Sequence, residues 1–322
     1  MTIAVYGATG HTGKLVLAEL ARRDLDAVLV GRNAERLRAA GSPVRQASLD
    51  NEAQLADAFR DCSVVINCVA PFTRYGAPVI RAAIAAGVHY LDIAGEQTYI
   101  KSVFDTFAAE ATDVTVIPMV NDGGFLADLL VGMLASPDAQ DVVVVHRFSD
   151  VELSRGSART ALANRDLFTS GGLTFVDGQW RSGAPQKHTE MTFPGEETPV
   201  PLVKFAMPEI ATIPRHLPAR HVEGLAEQAL STAFTALTED MIESFPESPG
   251  HAGTFTLLAD VDGRRGVVDG ADTYGITAVT VVEAAHRLIT TGAKPGVLAP
   301  AQAFDPADFL DSLASRGVRT QA

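Results

Sequence analysis

Cysteine is scarce in this 322-residue chain. Only Cys62 and Cys68 occur. They bracket one predicted strand, about 20 Å apart at strand rise, which excludes a bond between them. A disulfide framework is therefore ruled out, and two such residues offer no metal-ligand spacing. Positive charge is also short: 26 Lys and Arg stand against 39 Asp and Glu, a formal net charge of −13. With no basic run, nucleic acid and anionic membrane are poor partners. No apolar stretch is long enough to span a bilayer. Met1 leads almost directly into a strand, leaving no room for a signal peptide, so a cytoplasmic protein is expected. One catalytic pattern is missing outright. None of Tyr6, Tyr75, Tyr90, Tyr99 or Tyr274 is followed four residues later by lysine, so the usual short-chain dehydrogenase mechanism is excluded.

What is present is aliphatic, and its periodicity alternates. The length suggests two domains, or one with a large insertion. Short apolar runs at 3–6, 27–30, 44–47, 64–69, 89–93 and 114–120 read as buried strands. Helical patterns at 13–23, 34–40, 52–59, 78–86 and 99–111 lie between them. Gly87 is placed as a helix C-cap. This predicts an α/β fold, a Rossmann-type doubly wound parallel sheet, with ligand at the carboxyl ends of the strands.

After residue 120 the pattern changes. A helix is expected at 126–134, an apolar strand at 141–148, a hairpin at 175–181 turning on Asp177-Gly178, and an irregular proline-rich stretch at 194–218. A helix at 222–237 and a strand at 254–260 follow. The predicted organisation is a dinucleotide-binding domain of residues 1–125 and 268–322. A second, mixed α/β substrate or dimerisation domain, 126–267, is inserted before the C-terminal helices. The small-residue helix at 276–290 returns the chain to the first domain. The run Val142–Val145 serves a homodimer sheet as easily as a core.

The most informative motif is Gly7-Ala8-Thr9-Gly10-His11-Thr12-Gly13, in strand–turn–helix context. One glycine permits the tight reversal, one lets a pyrophosphate approach the backbone, and one allows close helix–strand packing. The phosphates would sit on the N–H groups of the new helix. Where NAD-selective sites place an acid after the second strand, this chain has Gly31-Arg32-Asn33. A guanidinium suits the 2′-phosphate of NADPH; the competing reading has Arg32 merely flanking a helix capped by Asn33. Asp50 ends the third strand near the adenine, and Val69-Ala70-Pro71 leaves the fourth where the nicotinamide ribose would lie.

Several motifs together resemble the saccharopine dehydrogenase-like family of NADP-binding reductases: Gly7–Gly13, Gly31–Asn33, Asn67-Cys-Val-Ala-Pro-Phe72 with Tyr75-Gly76, and His89-Tyr-Leu-Asp-Ile-Ala-Gly-Glu96. Residues 273–278 through 296–300 also look like that family's final helix and loop. The family includes trans-acting enoyl reductases and reductases acting at carbon–nitrogen bonds. The resemblance implies hydride delivery from NADPH to a polarised C=N or C=C bond of a small or carrier-linked metabolite. A carbonyl reductase and a non-catalytic NADP-sensing regulator are the rivals. After the sixth strand the chain departs from the enoyl-reductase pattern, with the shorter Asn121-Asp-Gly-Gly-Phe-Leu-Ala-Asp-Leu129.

Tyr75 is the expected proton donor, in a loop after the fourth strand; packing against the substrate domain is the equal alternative. Asp92 and Glu96 flank the end of the fifth strand, either orienting substrate or, the favoured reading, capping the turn. Glu96 is carried with Tyr75 as a catalytic candidate. Asn121 and Asp122 have similar alternatives. His146 reads as a core histidine. Arg155 and Arg159 suit either an anion or a solvated helix start. His216 and His221 lack helical metal-ligand spacing, and no metal site is expected.

Overall fold

The structure is a computed structural model that describes residues 1–40, 43–251 and 253–322. The chain divides into two compact units. The first comprises Met1–Ala94, Lys101–Asp122 and Tyr274–Leu298; the second comprises Gly95–Ile100, Gly123–Thr273 and Ala299–Ala322.

In the first unit, β1 (Thr2–Tyr6), β2 (Asp26–Gly31), β3 (Val44–Gln46), β4 (Val64–Asn67), β5 (His89–Asp92) and β6 (Thr115–Ile117) are joined by a short strand, Gly296–Val297. All pair in parallel, in the order Gly296–Val297, β6, β5, β4, β1, β2, β3. The order reverses at β1, which lies between β2 and β4; that is where such sheets bind ligands. Ile3–Val5 and Val64–Ile66 are wholly buried. Strands covered on both faces have no polar side to write into the sequence, hence the unbroken apolar runs.

The connecting helices are α1 (His11–Arg22), α2 (Ala34–Arg38), α3 (Glu52–Phe59), α4 (Phe72–Ala86) and α5 (Gln97–Phe107), the last belonging to this unit from Lys101 on. Asn33 and Asn51 cap α2 and α3 by accepting the N–H groups of Arg36 and Gln54, each at 3.0 Å. Gly87 closes α4 in the left-handed region, φ +71°, as its composition predicts. Helix Thr273–Thr290 runs, from Tyr274 on, in this first unit.

The second unit is built on β7 (Asp141–Ser149), β8 (Leu173–Val176), β9 (Gln179–Ser182), β10 (Glu190–Met191), β11 (Val200–Lys204), β12 (His221–Glu227), β13 (Thr254–Val261) and β14 (Arg264–Ala271). The order is β10, β11, β12, β7, β13, β14 and a last strand, Arg319–Gln321, with the β8–β9 hairpin attached to β12. β12 and β7 are parallel and the other pairs antiparallel, so the sheet is mixed. The predicted hairpin turn is present, with Asp177 and Gly178 both at positive φ. Helix α6 (Gly124–Leu134), apolar nearly all round, packs on β13 and β14. Among the described residues no helix is long and apolar enough to cross a membrane.

Three expectations need correction. Tyr75 does not lie in a loop: α4 begins at Phe72, with Pro78 inside it. Reading Pro78 as a first helical residue started the helix six residues late, because proline favours that position without requiring it. Residues 221–227 form β12 rather than the start of a helix, and only Gln228–Thr235 is helical. Val222–Ala226 are buried throughout, and a Cβ on Gly224 would come within 2.5 Å of Met207 Cβ, so strand pairing and close packing override the helical run that follows. Finally, residues 299–322 cluster with the second unit. Helix Pro306–Ser312 packs on α6, and Arg319–Gln321 extends the sheet beside β14.

Candidate cofactor site

Tyr6 ends β1, and the chain reverses over Gly7-Ala8-Thr9 into α1. Gly7 has φ +88°. A Cβ there would lie 2.7 Å from Val69 Cγ2 and 3.1 Å from the Cys68 carbonyl carbon. At Gly13 a Cβ would lie 2.3 Å from Gly7 O and 2.9 Å from Ala8 Cα. The Gly13 contacts are all backbone, and at Gly7 the Val69 side chain and the Cys68 backbone close the space while the positive φ independently favours glycine. Gly10 differs: the nearest atom to its Cβ would be Gly7 O at 3.4 Å. Gly7 and Gly13 thus serve the fold, while Gly10 leaves space in front of the helix. Gly10 is also the N-cap of α1 and, having no side chain, makes no cap bond to the helix, a geometry that suits an anion at the helix N-terminus. Ala8 is buried, whereas Thr9, His11 and Thr12 are half-buried. His11 packs edge-to-face on Tyr274, with centroids 4.8 Å apart. The cradle fits a pyrophosphate.

Arg32 follows the carboxyl end of β2 and Asp50 that of β3, and both come near this turn. The buried Tyr6 hydroxyl titrates above its usual value; burial dominates, the Arg32 guanidinium opposes it, Asp50 adds to it, and a backbone hydrogen bond with Leu49 lowers it. Both side chains are therefore within electrostatic reach of the residue preceding Gly7. Arg32 is exposed and its carbonyl accepts Gln46 Nε2 at 3.0 Å. Asn33 is engaged as a helix cap, and the Asp50 carboxylate accepts the Ser48 hydroxyl at 3.1 Å.

Beyond β4, Val69 is half-buried, Ala70 exposed and Pro71 half-buried after a cis Ala70–Pro71 bond. Pro71 is the N-cap of α4 and accepts the Tyr75 N–H at 3.1 Å. Half-buried Tyr75 thus stands on the first turn of that helix, with the Arg74 guanidinium 5.3 Å from its ring centre.

A buried polar chain fixes the neighbouring strand ends, and its Asn67 and Tyr90 had no role assigned from sequence. Asn67 Oδ1 accepts Val69 N–H at 3.0 Å, while its amide donates to Tyr90 Oη at 3.0 Å. Tyr90 Oη–H donates to Asp92 Oδ2 at 2.9 Å, and Asp92 Oδ1 accepts the N–H groups of Ala94 at 3.0 Å and Met119 at 2.9 Å. Asp92 is wholly buried. It holds Met119 at φ +70°, a strained conformation for this residue, at the end of β6. Alternation along β5 is the only sequence signal for this pairing, since Tyr90 and Asp92 share a face. Burial, with the Asp92 charge second, pushes the Cys68 thiol up to about 12. Both cysteines are free thiols.

The other candidates make the following contacts. Glu96 clusters with the second unit, is 3% exposed, and accepts Gly95 N–H at 3.1 Å. Asn121 donates to Ala94 O at 2.8 Å, and Asp122 accepts the Thr277 hydroxyl at 2.7 Å. His146 Nε2 meets Glu209 Oε1 at 3.0 Å in the core of the second unit. Arg155 donates to Phe245 O at 3.1 Å and Arg159 pairs with Glu243 at 2.7 Å.

Residues 3–117 match the family model described as the saccharopine dehydrogenase NADP binding domain. The trans-acting enoyl reductase of Mycobacterium ulcerans (strain Agy99) is 34% identical over a 122-residue alignment, which covers 34% of this chain and 29% of that protein. The trans-acting enoyl reductase of Mycobacterium tuberculosis (strain ATCC 25618 / H37Rv) is 35% identical with the same coverage. The alignment thus spans less than a third of these relatives' length. The solved structure of apo histidine-tagged saccharopine dehydrogenase (L-Glu forming) from Saccharomyces cerevisiae covers 99% of both chains with a TM-score of 0.58. At 12% identity that likeness is one of fold.

Proposed function

We propose, because residues 3–117 match the model of the saccharopine dehydrogenase NADP binding domain, that the chain is an NADPH-dependent reductase acting on a polarised C=N or C=C bond. The observation that carries the reading is the contrast within the glycine turn. Gly13 is held by backbone, Gly7 by its positive φ and its close approach to Val69 and Cys68, and Gly10 stands open at the N-terminus of α1. Bound NADPH would supply the hydride. The first-turn N–H groups of α1 hold the pyrophosphate, and Arg32 pairs with the 2′-phosphate, for which its planar donors are suited. Asp50 lines the adenine side. Val69, Ala70 and Pro71 supply backbone contacts near the nicotinamide ribose. Tyr75 Oη–H donates the proton to the atom that gains negative charge. Glu96 orients the substrate.

Residues 123–273 supply the substrate compartment, and the substrate is a small or carrier-linked metabolite. The protein works in the cytoplasm, without nucleic acid or membrane as partner, and a homodimer is compatible with the apolar strand Val142–Val145. The likeness to trans-acting enoyl reductases, which covers 34% of this chain, supports reductase chemistry and does not discriminate an enone from an imine.

The test begins with titration of the protein with NADPH and NADH, followed by nicotinamide fluorescence. Tight binding with strong preference for NADPH, then NADPH oxidation with one class of imine or enone, is the expected result. Failure to bind either nucleotide would sink the proposal. Binding without turnover across both electrophile classes would favour the sensor reading.

A further inference from the structure

At the amino-terminal ends of β7 and β12 the sheet of the second unit gathers two histidines and two carboxylates. Asp141 opens β7 and His221 opens β12, and the two are paired directly in the parallel register. Glu223, two residues on, shares the face of His221. His188 arrives from the segment before β10. That segment is tied down by Gln186, whose amide donates to Leu202 O at 2.9 Å and to His188 O at 2.6 Å.

His221 Nδ1 lies 2.8 Å from Asp141 Oδ1, and His188 Nε2 lies 3.3 Å from Asp141 Oδ2. One donor atom from each of Asp141, His188 and His221 falls within 4.8 Å of the other two. A tetrahedral zinc with bonds of about 2.0–2.2 Å needs ligand atoms roughly 3.4 Å apart, so small side-chain adjustments close the set.

The second observation is Glu223. Its side chain is 0% exposed, and Oε1 sits 2.6 Å from His188 Nδ1 and 2.8 Å from the His188 N–H. A carboxylate on Nδ1 fixes the proton there and leaves the Nε2 lone pair facing Asp141, as carboxylate partners do for metal-bound histidines. The side chains of Asp141, His188 and His221 are 25%, 28% and 15% exposed, open enough for an ion to enter.

We propose that Asp141, His188 and His221 form a divalent-cation site of the zinc class, with Glu223 as the orienting carboxylate and a fourth position left for water. Expecting no metal followed from spacing along the chain; these ligands meet across strands. Lys187 Nζ, 2.7 Å from Asp141 Oδ2, is the competing cation, and its 53% exposure lets it swing away.

The test uses the full chain stripped with chelator. Zn²⁺ is titrated against a chromophoric competitor, and Co²⁺ is followed by visible absorption. The expected result is one equivalent of zinc at micromolar affinity or tighter, with cobalt bands of four- or five-coordinate intensity. H188A and H221A each weaken binding at least tenfold, E223Q weakens it about tenfold or more, and K187A tightens it. The H188A/H221A double variant, checked for folding by circular dichroism, measures adventitious binding by the other six of the chain's eight histidines. Wild-type binding no tighter than that double variant, or cobalt spectra of an octahedral aquo ion, overturns the proposal. NADPH titration of the same samples is a separate readout, so failure here leaves the reductase reading standing.

Discussion

Gly10→Ala and Gly13→Ala separate a glycine needed for folding from one needed for ligand. At Gly13 the added Cβ would sit 2.3 Å from Gly7 O and 2.9 Å from Ala8 Cα. Relief requires moving α1 off β1, and overpacking of this kind costs about 1–3 kcal/mol, occasionally more. At Gly10 the same atom meets only Gly7 O at 3.4 Å, and φ −73°, ψ 170° is ordinary for alanine. There the gain from a stiffer unfolded chain, about 0.4–1 kcal/mol, is offset by the poorer N-cap that alanine makes. The melting temperature of Gly10→Ala should therefore stay within about 3 °C of wild type, while Gly13→Ala melts clearly lower. Nicotinamide fluorescence then reads binding. A methyl at Gly10 holds the pyrophosphate away from the helix N–H groups, and losing one or two charge-assisted bonds of about 1.5–3 kcal/mol each weakens NADPH at least tenfold. Wild-type NADPH affinity in a normally folded Gly10→Ala protein would refute the assignment of that open space to the cofactor.

Three further outcomes follow from the same geometry. Arg32→Ala should cut the preference for NADPH over NADH by about 10–100-fold, the scale of a lost ionic pair, with NADH affinity unchanged; paired titrations read this directly. Tyr75→Phe should lower kcat by about 10²–10⁴ if its hydroxyl donates the proton and leave NADPH affinity unaltered, whereas a packing role would shift melting and spare kcat. Burial lowers the proton affinity of His216, but the Asp128 carboxylate, Nε2 to Oδ2 3.1 Å, raises it further and holds the imidazole above its ordinary value. The stabilisation from this pair is full below the unfolded histidine value, about 6.5, and is lost as pH rises through the folded value. Melting curves from pH 6 upward should show this fall, and His216→Gln should flatten it.

Local signals are those a chain writes where geometry demands a particular residue. The left-handed C-cap at Gly87, the Asp177-Gly178 hairpin and the asparagine cap of α2 were legible because few residues tolerate those conformations or bonds. The glycine turn was legible for the same reason. Its internal division of labour was not: Gly10 and Gly13 look identical in sequence, and only the proximity of Gly7 and Ala8 to one of them tells them apart. Asp92 was recognised as a capping or functional acid, yet its bonds to Tyr90 and Met119 depend on neighbours supplied by another part of β5 and by the end of β6.

The parallel sheet of the first unit and its cofactor turn are written locally, since buried strands and tight turns are specified by the residues within them. The remaining features depend on contacts between distant segments. Residues 221–227 became strand because β7 and β11 pair with them and Gly224 admits Met207. The tail joined the second unit because β14 offered an edge. His188, Asp141, His221 and Glu223 became neighbours because sheet register, which is set between strands rather than along them, brought separated residues to one end.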